Sequence, residues 1–292
     1  MELRHLRSFL TLAHELHFSR AAERLNIVQP ALSGQIKSLE DELGVQLFLR
    51  DRRSVSLTEV GRVFLPQAQA TLDQADTALR VARRAEQGDI GELRISFVSS
   101  VIPEILPNVI RKLRAQYPKL QLHFHDMSTP RQIDALNHGR IDFGFLRLPV
   151  NAPSLHIELI LEEPFVVVLP ASHPLAAQKA IDVVALQDEP LLFLDRSAAP
   201  GYSDALLGAL SAAGVVLNIV QEFAELSTMV GLVASHLGLA IVPSSVAISL
   251  PSKTVARPLP HLSHRSQLGV AWKGTLNRVG SSFREFCHED AV

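Results

Sequence analysis

The chain has 292 residues, which exceeds the usual size of one folded core and predicts two or three units. The single cysteine, Cys287, excludes an intramolecular disulfide, and no apolar run reaches the roughly 18 residues that span a membrane. The amphipathic N-terminus does not read as a secretory signal, so we expect a soluble, cytoplasmic protein without a membrane partner. The formal net charge of −2 does not indicate nucleic-acid binding, so only the placement of charges can do so.

Two helices are predicted first. Apolar residues recur at intervals of three and four over residues 3–17, which predicts a first helix. Ser19 is the expected N-cap of a second helix, in which the small pair Ala21 and Ala22 lets another helix approach closely. Asn26 tolerates the left-handed conformation that ends this helix.

A third helix is predicted to begin at Gln29-Pro30, because the N–H that proline lacks would have no partner in a first turn. One face is apolar and is expected in the core: Leu32, Ile36, Leu39 and Leu43. Another face is polar: Gln29, Ser33 and Lys37. Such a helix can enter a major groove and reach base edges and phosphates, although a merely solvated helix face has the same pattern.

A basic loop follows between two short predicted strands, residues 45–49 and 54–57. Three arginines of this loop are candidates for contacts along a phosphate backbone: Arg50, Arg52 and Arg53. A charged hairpin tip is usually just solvated. Beside the helix pair, however, the pattern favours a winged helix-turn-helix.

At this point the sequence resembles the LysR-type transcriptional regulators. The matching residues run in register over about 60 positions. They are Arg20-Ala21-Ala22-Glu23-Arg24-Leu25, Gln29-Pro30-Ala31-Leu32-Ser33, Gln35-Ile36, Leu39-Glu40, Leu43-Gly44-Val45, Leu47-Phe48, and Leu57-Thr58-Glu59 with Gly61. Two positions depart from the family pattern, because Val28 stands where a capping serine is common and Gly34 where a longer side chain is common.

The resemblance implies a sequence-specific regulator that binds promoter DNA. The implied DNA contacts are Arg20, Gln29, Pro30, Ser33, Gly34, Lys37, Arg50, Arg52 and Arg53. Residues 1–62 carry nine Lys or Arg against eight Asp or Glu, so one copy alone is expected to bind DNA weakly. Dimerisation on a dyad-symmetric site is the expected remedy.

A long helix is predicted from the N-cap Thr58 to Gln87, with a kink at Pro66. Its apolar stripe consists of Phe64, Ala68, Leu72, Ala75, Leu79 and Ala82. This stripe either packs on its own domain or pairs with a second copy, and the resemblance implies the pairing. Residues 88–91 end the helix and are interpreted as a hinge.

Strands and helices alternate beyond the hinge and predict parallel sheets flanked by helices. The resemblance implies a bilobed, periplasmic-binding-protein-like α/β domain that binds an effector. The expected division is a winged helix-turn-helix over residues 1–58, a linker helix over 59–88 and an effector domain over 89–292. Within the last, lobe I is expected at about 89–163 and 265–292 and lobe II at about 164–264.

The effector pocket is expected beyond the strand ends, where helices begin. Hydroxyls stand at two such starts and suit a carboxylate, although ordinary capping has the same pattern: Ser99, Ser100, Ser128 and Thr129. Further candidates are Val101, Phe145, Arg147, Pro200, Gly201, Tyr202, Ser227 and Val242. Phe145 and Tyr202 either sandwich the ligand or belong to the core, and Arg147 pairs either with the ligand or with Glu163.

The second half is most similar to the branch of the family that responds to benzoate, muconate and related metabolites. Val98-Ser99-Ser100, Arg147 with Glu163, and Pro200 with Tyr202 carry this likeness. The resemblance implies a small carboxylate effector, a homodimer or homotetramer, and RNA polymerase as a further candidate partner. No cofactor is expected.

Other classes of protein are less well supported. His123 and His125 share a strand face and His261 and His264 are three apart, but neither pair has recognisable further metal ligands. The sequence contains no nucleophile elbow, phosphate-binding loop or dinucleotide fingerprint, so we do not expect an enzyme. A solute-binding protein that shares the bilobed fold and a ligand-independent DNA-binding repressor remain as alternatives.

Overall fold

The computed structural model describes residues 1–50, 54–87, 91–101 and 105–289, with only the backbone of residues 80–87. The chain forms two compact units, Met1–Glu86 and Gln87–Val292. Residues 88–90 of the predicted hinge, the side chain of Ala82, and Arg52 and Arg53 lie outside the described residues. Among the helices that are described, none has the length and apolar character needed to cross a bilayer.

The first unit is a helix-turn-helix with a hairpin wing and one long helix, which confirms the predicted fold. Its elements are α1 (Leu3–Glu15), α2 (Phe18–Arg24), α3 (Gln29–Leu43), β1 (Phe48–Arg50), β2 (Val55–Leu57) and α4 (Glu59–Gln87). The expected cap at Ser19 is wrong, because α2 begins one residue earlier and the ring of His17 accepts the N–H of Arg20. Asn26 adopts the predicted left-handed conformation, with φ of 54°.

The core of the first unit lies under the apolar face of α3. Leu32, Ile36 and Leu39 are fully buried, whereas Leu43 at the helix end is 36% exposed, contrary to the prediction. α3 begins at Gln29 with Pro30 in its first turn, as predicted, and its N-cap Val28 makes no side-chain hydrogen bond.

The long helix α4 begins as predicted, because Thr58 Oγ1 accepts the N–H of Gly61 at 2.9 Å. It runs through Pro66 without interruption of the helix assignment. The first half of its apolar stripe packs on the helix-turn-helix core, since Ala68 and Leu72 are buried there. Farther along, Leu79 is 55% exposed. The expectation that the stripe packs on its own domain therefore holds for its first half, while Leu79 in the second half is accessible to a second copy.

The second unit has two lobes, each built on a five-stranded sheet. Lobe I has the strand order β4-β3-β5-β12-β6. Its elements are β3 (Glu92–Phe97), α5 (Ile105–Gln116), β4 (Gln121–Asp126), α6 (Thr129–Asn137), β5 (Phe143–Leu148), β6 (His156–Glu163), β12 (Ser266–Trp272) and α9 (Arg278–Glu289). The three strands β4, β3 and β5 run parallel, as predicted.

Lobe II has the strand order β11-β7-β10-β8-β9. Its elements are β7 (Phe165–Pro170), β8 (Pro190–Leu194), α7 (Pro200–Ala212), β9 (Asn218–Phe223), α8 (Leu226–Val233), β10 (Leu239–Pro243) and β11 (Thr254–Pro258). Both sheets are mixed rather than parallel throughout, because β12 is antiparallel to β5 and β6, and β7 is antiparallel to β10 and β11. β7 follows β6 directly and belongs to the other sheet, so the chain passes from lobe I to lobe II at this point.

Candidate functional site

The polar face of α3 is open to solvent. Four of its predicted DNA contacts are exposed and the fifth is half-buried: Gln29, Pro30, Gly34, Lys37 and, half-buried, Ser33. Ser19 Oγ donates to Gln29 Oε1 at 3.0 Å, which holds this side chain at the start of α3. A Cβ on Gly34 would meet no atom within 4 Å, so this glycine leaves open space. Side chains one turn apart on this face suit a groove that presents base edges and phosphates.

Of the other predicted arginine contacts, Arg20 lies on the outer surface of α2. One of its terminal nitrogens donates to the carbonyl of Glu15 at 2.6 Å, and Nε lies 3.5 Å from the Glu15 carboxylate. The hydrogen bond from Arg24 to Glu15 lowers the pKa of that carboxyl. The guanidinium of Arg20 stays 62% exposed and accessible to a phosphate. Arg52 and Arg53 are not described.

Arg50 is held by its own unit. Its guanidinium lies 2.8 Å from Glu40 Oε2 and 5.1 Å from the centre of the Phe18 ring. The other oxygen of Glu40 accepts the backbone N–H groups of Leu47 and Phe48, at 2.8 and 3.2 Å. The carboxylate of Glu40 in α3 therefore holds the wing by hydrogen bonds, and the ion pair with Arg50 adds to this contact.

A cleft of about 300 Å³ lies between the two lobes of the second unit. Lobe I contributes residues 98–100 after β3, residues 126–128 and Arg131 after β4, and Arg147 of β5. Lobe II contributes the end of β8, residues 197–199, and residues 224–226 before α8. Strand ends and helix starts line the cleft, which is where open α/β sheets bind ligands.

Four of the predicted pocket residues line the cleft: Ser99, Ser100, Ser128 and Arg147. Ser227 contacts its edge, because its hydroxyl donates to Ser99 Oγ of the other lobe at 3.4 Å. Ser128 occupies the N-cap of α6 but makes no side-chain capping bond, so ordinary capping does not use its hydroxyl.

Arg147 belongs to a buried polar network behind the cleft. Its side chain is 2% exposed and lies 3.2 Å from Glu163 Oε1. Nε and Nη2 donate to Ser100 Oγ at 3.3 and 2.7 Å, and Nη1 donates to Ser266 Oγ at 2.8 Å. Glu163 in turn accepts the N–H of Ser245 at 2.6 Å. Of the two expected partners of Arg147, Glu163 is therefore the one that balances its charge.

The two predicted aromatic residues do not form a sandwich. Phe145 is fully buried in lobe I, with its ring 6.0 Å from that of Phe283. Tyr202 is buried in lobe II, with its ring 5.9 Å from that of Phe165. Burial raises the pKa of the Tyr202 hydroxyl. The expectation that both rings belong to the core is the one that the structure supports.

The remaining predicted pocket residues lie behind the cleft wall. Thr129 is buried where the lobes meet, and its N–H donates to the carbonyl of Ala198 at 3.0 Å. Val101 and Val242 are core residues of lobes I and II. Pro200 and Gly201 form the first turn of α7, and a Cβ on Gly201 would lie 1.9 Å from the carbonyl oxygen of Pro149. These positions shape the wall without lining it.

Three charged residues that line the cleft were not predicted from the sequence: Asp126, Arg131 and Glu225. Asp126 ends β4 and Glu225 immediately precedes α8, so the rule that selected the serines also applied to them. Burial, followed by the charge of Glu225, raises the pKa of Asp126. Both carboxylates line the same cleft, one from each lobe.

No group of three His, Cys, Asp or Glu side chains that could hold a metal ion occurs in the described part of the chain. His123, one of the histidines considered above, lies 3.4 Å from Glu92 on the neighbouring strand.

Family profiles match both units. The profile described as "Bacterial regulatory helix-turn-helix protein, lysR family" matches residues 3–62. The profile described as "LysR substrate binding domain" matches residues 86–291. Together they cover the unit with the exposed α3 face and the unit with the cleft.

Individual relatives are regulators. The HTH-type transcriptional regulator AlsR of Bacillus subtilis (strain 168) is 40% identical over 273 residues, which cover 94% of this chain and 90% of AlsR. The HTH-type transcriptional regulator CatR of Pseudomonas putida is 41% identical over 246 residues, which cover 84% of each chain. The relatives thus include branches besides the benzoate and muconate branch.

Solved structures show the same fold. The crystal structure of CbnR, a LysR family transcriptional regulator, matches with a TM-score of 0.81 and 25% identity over 100% of both chains. Full-length CbnR in complex with its target DNA matches with a TM-score of 0.80 and 25% identity over 99% of this chain and 100% of CbnR.

Proposed function

The chain belongs to the LysR family of transcriptional regulators, and from this premise we propose that a small carboxylate bound in the cleft controls how the protein binds promoter DNA. Residues 1–58 read the DNA, residues 59–88 pair two copies, and residues 89–292 bind the effector. The protein is a regulator rather than an enzyme, as its relatives are.

For DNA recognition we propose that two copies place their α3 helices in successive major grooves of a dyad-symmetric site. Gln29 and Ser33 read base edges, while Lys37 and Arg20 contact phosphates. Solvent exposure of the α3 face supports this assignment, as does the CbnR complex with its target DNA. The protein acts in the cytoplasm, where bacterial promoter DNA and RNA polymerase are found.

The observation that carries the effector proposal is the hydrogen bonding of Ser100. Its oxygen accepts bonds from two nitrogens of Arg147, so its own proton remains to be donated. A donor at the start of a helical turn, beside a buried guanidinium, suits an anionic oxygen. The hydroxyl of Ser128 on the neighbouring strand end adds a second donor.

The same network supports a route from the cleft to the rest of the protein. A carboxylate at Ser100 changes the hydrogen bonding of Arg147, which is paired with Glu163 and, through it, joined to Ser245 of lobe II. Binding then favours one of two lobe arrangements and, in a dimer or a tetramer of two dimers, one arrangement on DNA. An aromatic acid or muconate is the proposed effector, supported by the relative CatR and by the residues quoted for that branch.

Calorimetric titration of the full-length protein with benzoate and with cis,cis-muconate tests the proposal. We expect one of them to bind, and Ser128→Ala to weaken that binding about tenfold, the factor of one charge-assisted hydrogen bond. Ser154→Ala is the control, because this serine bonds to Asn137 on the surface of lobe I, outside the cleft. Equal binding by both variants would place the carboxylate elsewhere, and a flat titration would favour a ligand-independent repressor.

A further inference from the structure

The effector cleft contains more negative than positive charge. Along its described walls, Arg131 contributes one positive charge, while Asp126 and Glu225 contribute two negative ones. The positive charge of Arg147 is already paired with Glu163. The cleft therefore has one negative charge in excess, which is an unusual surrounding for a simple carboxylate.

The two acidic residues stand on opposite walls. Asp126 ends β4 of lobe I, and Glu225 precedes α8 of lobe II. Within the described residues, neither carboxylate has an ion pair or a side-chain hydrogen bond. Both carboxylates line the same cleft. Burial and, after it, the negative charge of Glu225 raise the pKa of Asp126.

The anion-binding groups lie on one side of the same cleft. Ser100 and Ser128 belong to lobe I and present hydroxyls, and Arg131 in the first turn of α6 adds a guanidinium with no described ion pair. A ligand whose charges complement both walls needs an anionic end for these groups and a cationic end for Asp126 and Glu225.

We propose that the effector is a carboxylate that also carries a primary amine, with its ammonium group held between Asp126 and Glu225. This inference rests on the proposed binding of a carboxylate in the cleft and adds the second polar end. A cleft of about 300 Å³ is at the small end of ligand sites, so the effector is a single-ring or short-chain molecule. The inference narrows the effector class proposed above, since a dicarboxylate such as muconate would bring its second anion to these two carboxylates.

The test compares two probes that differ by one amine. Full-length protein is titrated calorimetrically with benzoate and with 4-(aminomethyl)benzoate. We expect the amine to bind at least about tenfold tighter, the factor of one charge-assisted hydrogen bond. In Glu225→Gln, which keeps the side-chain shape, the amine should lose most of this advantage and benzoate should bind equally well or better.

Glu222→Gln is the matched control, because Glu222 is an exposed glutamate of β9 that does not line the cleft. It should leave both affinities unchanged, and unfolding temperatures of the variants show that each is folded. If the wild type binds benzoate as tightly as 4-(aminomethyl)benzoate, the inference is wrong and the carboxylate pocket stands. If neither probe binds but cis,cis-muconate does, the inference is wrong and the carboxylate pocket stands. If none of the three compounds binds, both the pocket and the inference fail.

Discussion

At the scale of single residues, Arg147 shows how the cleft keeps a charge in the protein interior. Transfer of an unpaired guanidinium out of water costs many kcal/mol, so a buried arginine needs an opposite charge and further acceptors. Glu163, Ser100 and Ser266 provide them. Loss of Arg147 would remove the donor to both serines and the counter-charge of Glu163, which among the described residues would keep only the hydrogen bonds from Ser244 and Ser245.

Arg147→Met should therefore lower the free energy of unfolding of the second unit by about 3 kcal/mol, because Glu163 stays buried and loses its counter-charge. Urea unfolding of the full-length protein measures this change. The double variant Arg147→Met with Glu163→Gln should recover part of the loss, because the remaining amide carries no charge. A double variant that is less stable than Arg147→Met would contradict the pairing.

The sheet register explains why the sequence could not decide whether Arg147 pairs with the ligand or with Glu163. The glutamate is sixteen positions away, and only the register of the sheet brings it near, since β12 pairs Leu268 with Arg147 and Ser266 with Glu163. The intervening strand β12 comes more than a hundred residues later in the chain. No local spacing contains that information.

At the scale of elements, the start of α7 is held closely against the segment that follows β5. Gly201→Ala should destabilise the second unit by roughly 1–3 kcal/mol, because the new Cβ meets the Pro149 carbonyl oxygen and the helix must shift. Gly208→Ala in the same helix is the control, with no atom within 4 Å of its Cβ. It should stabilise the unit by about 0.5–1 kcal/mol. Similar thermal shifts for both variants would show that the approach at Gly201 is not tight.

The wing gives a second prediction, based on the contact of Arg50 with Glu40. Lys37→Met should reduce the slope of log affinity against log salt by about 0.9, the share of one phosphate contact. Arg50→Met should weaken DNA binding because the wing loosens, yet leave the slope unchanged. Both values come from salt titrations of the full-length protein with one duplex. If Arg50→Met reduces the slope as much as Lys37→Met does, Arg50 also contacts a phosphate.

Elements with a strong local pattern were predictable from the sequence. The helices of the first unit have periodic apolar residues and were predicted close to their observed bounds. The strands β6, β11 and β12 do not alternate with helices, and β6 interleaves charged residues, so the alternation that predicted the parallel strands does not include them. Phe145 lies within β5 and Tyr202 in the first turn of α7, and only packing in three dimensions assigns their rings to the cores.

At the scale of the whole molecule, α4 offers a surface for a second copy. Its stripe packs on the first unit as far as Leu72, and Leu79 beyond it is 55% exposed. Leu79→Glu should shift the protein toward monomers in sedimentation velocity and weaken DNA binding, because a buried charge opposes the pairing of the helices. Gln74→Glu, at an exposed position off the stripe, is the control and should remain dimeric. An unchanged mass for Leu79→Glu would exclude this surface as the contact.

The central claim is that occupancy of the cleft changes DNA binding, which makes the two units parts of one switch. The most direct test uses a duplex selected from a random pool by the full-length protein, with its affinity measured with and without the bound carboxylate probe. The wild type should change its affinity or its protected region on adding the probe. Ser128→Ala should bind the duplex like the wild type and need about tenfold more probe for the same response. If the wild type binds the probe with no change on DNA, or Ser128→Ala responds at the same probe concentration as the wild type, the account is contradicted.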